Sequence, residues 1–265
     1  MKLERDVLVI DDEPVIAGAV ARICAAEGLS VDSAGSAADA LELLVARSYR
    51  LIVCDIMMPD IDGFGFLAVA ARRNPRTPVI MTTGYATLDN AVKALARGAT
   101  DFIAKPFTAD ELLAVVRRAL RCRMLQEEGA KAGPRDSLAF VPCPPKYYRL
   151  GNVSWAKEDR EGTVLVGLSD LFLKTLDGVA SLELAPVNEE EAQGSICATV
   201  ATTAGDRHGV ACPVGGRIVE VNPAAKADPT SIEKDPYFEG WLYRLVPTDL
   251  QSDLRSLVSC SSDRL

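Results

Sequence analysis

Leu51-Ile52-Val53-Cys54-Asp55-Ile56-Met57-Met58-Pro59-Asp60-Ile61-Asp62-Gly63 is the stretch whose reading decides the fold of this chain. Leu51 to Cys54 read as a short buried strand, and the run stops on a carboxylate, Asp55, ahead of a turn rich in Asp, Pro and Gly. An acid in that place is out of keeping with a core position. Asp11 and Asp12 follow a second apolar run, Val7-Leu8-Val9-Ile10, in the same way. In a parallel α/β sheet such strand ends open on one edge, where ligands bind, so the three carboxylates are expected to converge. Like charges a few ångströms apart disfavour joint ionisation, and a divalent cation relieves that. The cluster therefore predicts a Mg2+ site.

Two more residues join the same edge: Thr83, after Val79-Ile80-Met81, and Lys105, after Phe102-Ile103-Ala104 and before Pro106. Taken singly, Asp11 and Asp12 could cap the helix opened by Pro14, Thr83 could be a turn residue and Lys105 a solvated charge. All five at successive strand ends leave that reading little room. Strands are expected near 6–10, 30–34, 51–54, 78–82 and 101–104, and helices near 14–27, 37–47, 65–74, 87–97 and 109–124. The intervening segments are long enough for right-handed crossovers, which predicts an α/β doubly wound sheet of five parallel strands.

With these motifs in view, residues 1–123 resemble a response regulator receiver domain of two-component signalling. The resemblance runs through Val9-Ile10-Asp11-Asp12-Glu13-Pro14, Asp55 to Gly63, Thr83-Gly84-Tyr85-Ala86-Thr87 and Phe102-Ile103-Ala104-Lys105-Pro106-Phe107. It implies that Asp55 is the phosphoacceptor and that Asp12, Asp55 and the Met57 carbonyl hold Mg2+ with Asp11 in support. Thr83 and Phe102 would be the switch residues, Phe102 standing where the family more often has Tyr. Met57 and Tyr85 would flank the path of the water that removes the phosphoryl group. A carboxylate can attack phosphorus when a metal screens the phosphoryl oxygens, Lys105 adds a counter-charge, and the Thr83 hydroxyl can bind the product. A partner sensor histidine kinase is implied, the receiver assisting only its own phosphorylation and dephosphorylation rather than acting as an enzyme on other substrates. The resemblance also allows a homodimer through the receiver.

A length of 265 residues leaves room for two domains, and 48% hydrophobic with 25% charged residues is the balance of soluble globular protein. No stretch approaches the roughly 18 apolar residues of a membrane span, and the run Val7 to Ile10 is too short for a signal-peptide core. Export is not expected. Seven cysteines at irregular spacing, without a Cys-x-x-Cys pair, make neither a disulfide framework nor a zinc site, which places the chain in a reducing cytoplasm. His208 is the only histidine, which excludes a His-rich metal site and a built-in histidine kinase core. Net charge is −8, and from residue 146 onward 12 Lys plus Arg face 18 Asp plus Glu. DNA binding leans on basic residues that displace counterions, so no nucleic-acid partner is expected.

Residues 124–145 read as a linker, with Gly129, Gly133, Pro134, Pro142, Pro144 and Pro145. Beyond it, short strand-like runs at 163–166, 181–184, 195–200, 217–221 and 241–246, separated by Gly, Pro and Asn, predict an all-β barrel or sandwich. A terminal helix is expected near 249–259. Residues 146–265 resemble the H protein of the glycine cleavage system, a mainly-β barrel-sandwich relative of lipoyl carrier domains. The resemblance rests on Ser154-Trp155, Val166 to Asp170, Thr175 to Gly178, Cys212 to Asn222 and Asp235 to Leu242. In that family a lysine at an exposed hairpin tip carries the lipoyl arm, and here Gly205 stands at the expected position. No lysine occurs between Lys174 and Lys226, so no lipoate is expected. Arg207 and His208 could instead grip an anionic partner and Cys212 could be redox active, or the tip could be a plain solvent loop.

The favoured expectation is a response regulator phosphorylated on Asp55, with output through docking of the non-lipoylated second domain on an unidentified protein partner. A phosphorylation-gated lipoyl carrier, or a decoy for lipoyl-handling enzymes, is the alternative. A transcription regulator is the third.

Overall fold

The structure, a computed structural model, describes residues 3–84, 87–131 and 139–260. The chain divides into two units, Met1–Ala86 with Arg97–Glu127, and Thr87–Ala96 with Glu128–Leu265. In the first part of the chain, strands β1 (Leu3–Ile10), β2 (Val31–Ala34), β3 (Arg47–Asp55), β4 (Val79–Thr83) and β5 (Asp101–Ala104) alternate with helices α1 (Pro14–Ala26), α2 (Ala37–Ala46), α3 (Gly63–Arg73), α4 (Leu88–Ala96) and α5 (Ala109–Lys131). The sheet order is β2-β1-β3-β4-β5, every pairing parallel. This is the expected doubly wound α/β arrangement, in which Val7–Ile10 of β1, Leu51–Cys54 of β3 and Val79–Met81 of β4 are buried and continuously apolar.

Helix starts follow local chemistry. Pro14 opens α1, Ser36 caps α2 by accepting the Asp39 N–H, and Asp62 caps α3 by accepting the Gly65 N–H. The first unit's core is built from Val7, Val9, Leu51, Val53 and Ile80 of the strands with Val20, Cys24, Leu112 and Val116 of the helices. The last helix runs seven residues past its expected end and takes in the first part of the expected linker. Met124 to Glu128 are good helix formers, and Arg123 pairs with Glu127 one turn on at 2.6 Å. Residues 132–138 of the linker lie outside the described residues.

The second part is antiparallel. Strands β6 (Tyr148–Leu150), β7 (Ser154–Glu158), β8 (Val164–Leu168), β9 (Val179–Leu184), β10 (Glu190–Glu191), β11 (Ile196–Thr202), β12 (Arg207–Ala211), β13 (Gly216–Val221), β14 (Trp241–Pro247) and β15 (Val258–Ser259) are joined by short helices α6 (Asp170–Thr175), α7 (Pro223–Ala227), α8 (Ser231–Lys234) and α9 (Leu250–Leu254). They form two sheets, β10-β13-β14-β8-β7-β6-β15 and β12-β11-β9. Val164, Val166 and Leu168, Val200, Val210, Ile218 and Leu245 fill the core. A second cluster gathers Tyr147, Trp155 and Tyr237, where the Trp155 indole N–H donates to the carbonyls of Leu168 and Pro236. That explains why Ser154-Trp155 and the block from Asp235 carry the sequence signal. The terminal helix is shorter than expected: α9 stops at Leu254, and the chain returns to the sheet, Val258 pairing with Arg149.

Candidate functional site

The C-terminal edge of the parallel sheet brings Asp11, Asp55 and Lys105 together. Lys105 Nζ stands 2.8 Å from Asp11 Oδ2, 2.9 Å from Asp55 Oδ1 and 3.8 Å from Glu13 Oε1. The other Asp55 oxygen accepts the Met57 backbone N–H at 2.9 Å, and Asp11 Oδ1 accepts that of Glu13 at 3.0 Å. Asp55 and Asp11 are only 3% and 4% exposed. Burial raises the Asp55 carboxyl above its usual range; Lys105 works against that shift and the Asp11 charge adds to it. Burial by itself would lower the Lys105 ammonium, but hydrogen bonds and charge from Asp11 and Asp55 outweigh it and hold the lysine above its usual value. Two carboxylates against one ammonium leave a negative pocket that favours a further cation.

Of the three carboxylates expected at this edge, Asp11 and Asp55 are brought together around Lys105. Asp12 is exposed, and Lys105 fills the space between Asp11 and Asp55. Among the described residues no group of three His, Cys, Asp or Glu side chains is arranged to hold a metal. The lysine already neutralises part of the charge that would otherwise demand one. The donor set that remains, two buried carboxylates on strand ends with Asp12 beside them in sequence, fits a hard, oxygen-seeking cation such as Mg2+.

Thr83 is fully buried at the end of β4, and Phe102 is half-buried on β5 beside Met81. Met57 is exposed. Tyr85 lies outside the described residues. The residue that sequence reasoning passed over is Thr82. The register Asp55↔Thr82 puts it on the neighbouring strand beside the candidate phosphoacceptor, its hydroxyl a long 3.5 Å from Asp55 Oδ1. The doublet Thr82-Thr83 was the available signal, one hydroxyl for each face of the strand.

In the second unit β11 and β12 form the hairpin whose tip holds Gly205. The turn closes with Thr202 N–H to the Asp206 carbonyl at 2.9 Å and Gly205 N–H to the Thr202 carbonyl at 3.0 Å. Gly205 has φ +94°, a left-handed conformation that L side chains adopt reluctantly. Arg207 is paired with Glu183 of β9 at 2.5 Å. His208 is not a surface group: it is buried, its ring edge-on to Phe172 at 6.4 Å. Cys212 is buried too, its thiol donating to the Val214 carbonyl at 3.1 Å. Of the roles imagined for the tip, Arg207 is in a salt bridge, and His208 and Cys212 are packed side chains.

Comparison with known families agrees with both geometries. Residues 7–117 match the response regulator receiver domain, and residues 146–263 match the glycine cleavage H-protein. The chain joins a receiver domain to an H-protein domain. The receiver is 41% identical over 128 residues to nitrogen assimilation regulatory protein NtrX of Azorhizobium caulinodans, covering 48% of this chain and 28% of that protein. It is 38% identical over 148 residues to the DNA-binding transcriptional regulator NtrC of Escherichia coli K12, covering 54% of this chain and 32% of that one. The chain thus spans less than a third of the length of these relatives. Among solved structures, the receiver domain of NtrX from Brucella abortus is 41% identical, covering 43% of this chain and 98% of that one, with a TM-score of 0.42. Receiver domains typically use Mg2+ and are phosphorylated by sensor histidine kinases. Among the described residues no helix is long and apolar enough to cross a membrane.

Proposed function

We propose that this chain is a two-component response regulator, phosphorylated on Asp55 by a partner histidine kinase, with output through protein docking of an H-protein domain that carries no lipoyl group. The observation that supports it most is the Lys105 ammonium shared between Asp11 and Asp55 on one sheet edge. An Asp55 oxygen attacks phosphorus as the bond to the donor breaks and the donor leaves with the electron pair. The Met57 N–H holds the second Asp55 oxygen, which aims the first at the incoming group. Lys105 supplies positive charge where phosphoryl oxygens arrive. Asp12, Asp55 and the Met57 carbonyl, with Asp11 in support, would hold Mg2+, which would supply the further charge stabilisation that phosphoryl transfer needs. Thr83, buried one residue beyond Thr82, donates its hydroxyl to the acyl phosphate, and Phe102 repacks behind it.

The receiver catalyses nothing beyond its own phosphorylation and hydrolysis. Met57 and Tyr85 offer no carboxylate or amide to orient water, so the phosphoryl group is long-lived. The H-protein domain binds a protein partner through its surface: Gly205 offers no amine for acylation, and Arg207 is a guanidinium that stays protonated. Its acidic balance opposes nucleic acid binding.

Labelling the full chain with a radioactive small acyl phosphate tests this. Wild-type protein takes up label only with Mg2+ and holds it for minutes or longer, and Asp55→Asn takes up none. Undiminished labelling of Asp55→Asn, or loss of label from wild type within seconds, contradicts the assignment.

A further inference from the structure

The β11–β12 hairpin breaks strict alternation at one point, and the break brings two thiols together. Ala198 and Val200 of β11 both face the core, so in a regular strand Cys197 would point the other way, to solvent. The register instead slips between Ile196 and Ala198. A bulge there leaves Cys197 without a partner across the ladder and turns it inward beside Ala198. Cys197 is 2% exposed, while its neighbour Ile196 is 60% exposed. Tyr243 of β14 pins the bulge: its buried hydroxyl donates to the Cys197 carbonyl at 2.6 Å and accepts the Ala185 N–H at 2.8 Å.

Cys212 stands across the hairpin, one residue beyond the end of β12. Its N–H donates to the Ser195 carbonyl and its carbonyl accepts the Gly194 N–H, both at 2.8 Å, so it lies opposite the residues that lead into the bulge. It is fully buried, in the same core cluster as Cys197 and Val210. The Cys197 thiol reaches the Val210 carbonyl at 3.7 Å, two residues before Cys212, and the two sulfurs are within hydrogen-bonding reach of one another. Side chains on adjacent strands that converge in this way are what a disulfide requires. The contact with Cys212, burial and the Glu191 charge hold the Cys197 thiol well above its usual value. The closed hairpin therefore keeps the pair as a dithiol.

We propose that Cys197 and Cys212 are a modification site: a buried dithiol that a small peroxide converts into a disulfide across the base of the β11–β12 hairpin. The site is independent of Asp55 and gives the H-protein domain an input of its own. β12 is the edge strand of its sheet, bonded to β11 alone, and segments with few contacts open locally at lower free energy than core strands. Opening admits water and peroxide, and one thiol gives up its proton. That thiolate attacks a peroxide oxygen; the S–O bond forms as the O–O bond breaks, and the departing hydroxide takes a proton and leaves as water. The second sulfur then attacks the sulfenic sulfur; the S–S bond forms as the S–O bond breaks, and hydroxide leaves with the second thiol's proton as another water. Two thiols and one peroxide give one disulfide and two waters. Closure of the hairpin buries the bond, away from attacking thiolates, and ties β12 to β11 at the end opposite the Gly205 tip.

Treatment of the reduced full chain with hydrogen peroxide, followed by alkylation and peptide mapping without reductant, tests this. The expected product is a peptide pair joined through Cys197 and Cys212, lighter than the two thiol peptides by about 2 Da for the two hydrogens lost, and dithiothreitol should restore both thiols. Hydrogen–deuterium exchange reads the effect on the hairpin. The turn bond from Thr202 N–H to the Asp206 carbonyl sets the alternation that points the His208 and Val210 amides at β11. Both should exchange roughly tenfold more slowly in the oxidised protein, because the cross-link suppresses opening. Cys197→Ala and Cys212→Ala should each lose the linked peptide and the slowing, and the wild-type map carries the test even where a variant folds poorly. Oxidation that leaves Cys197 and Cys212 unlinked, as free thiols or as single-cysteine acids, overturns the site. A linked pair with unchanged exchange at His208 and Val210 overturns the closure of the hairpin.

Discussion

Lys105 is the side chain on which the receiver site turns. Replacing it with Met leaves two buried carboxylates facing one another, and we expect a loss of about 3–5 kcal/mol at neutral pH, the cost of removing one partner from a buried charge cluster. Asp55 gives the loss a pH signature. Its folded carboxyl already titrates above the unfolded value of 3.8, so its contribution to stability is complete below that value and is lost as pH rises through the folded one. Lys105→Met raises the folded value further, and much of its deficit should disappear near pH 4. Denaturant unfolding at the two pH values measures this; an equal deficit at both contradicts it. Asp55 and Lys105 were legible because each ends an apolar run, and strand ends in a parallel sheet share an edge. Thr82 was passed over because position along the chain alone does not say which hydroxyl of a Thr-Thr doublet stands beside the neighbouring strand's carboxylate.

Strands and their pairings carry two further expectations. Asp32 on β2 receives Arg47 at 2.6 Å and the Tyr49 hydroxyl at 2.8 Å, both from β3, with Arg5 of β1 at 3.6 Å. Burial would raise its carboxyl, but these partners outweigh burial and hold it below 3.8. Its stabilisation is therefore present above pH 3.8 and is lost as pH falls through the lower folded value. Asp32→Asn should flatten the acid limb of the first unit's stability profile, and an unaltered slope below pH 4 counts against this. In the second unit, Gly205→Lys places a side chain at φ +94° and should cost about 1–2 kcal/mol, with Gly205→Asn costing less because Asn tolerates that region. Urea midpoints order the three proteins. The long alternating elements were readable in the sequence, since hydrophobic period and turn chemistry agree there. The two-residue strands β10 and β15 were not: pairing with β13 and β6 defines them, and no local pattern can. The continuation of α5 was hidden by Gly129, which the surrounding helix formers and the Arg123–Glu127 pair override.

For the whole molecule, both halves were legible as families of fold, while the grouping of α4 with the H-protein domain was not. Leu88, Val92 and Leu95 have the spacing of any receiver helix, and the glycines that admit them lie about 55 to 105 residues further along the chain, at Gly151 and Gly194. Only the folded chain brings them together. The account as a whole joins a working phosphoacceptor to a carrier fold that has no attachment amine. Intact-mass measurement of the full chain, expressed in lipoate-replete cells and then treated with acetyl phosphate and Mg2+, tests both halves in one spectrum. The account predicts the gain of one phosphoryl group, absent from Asp55→Asn, and no lipoyl adduct; a lipoyl adduct, or wild-type protein unchanged by the donor, would contradict it.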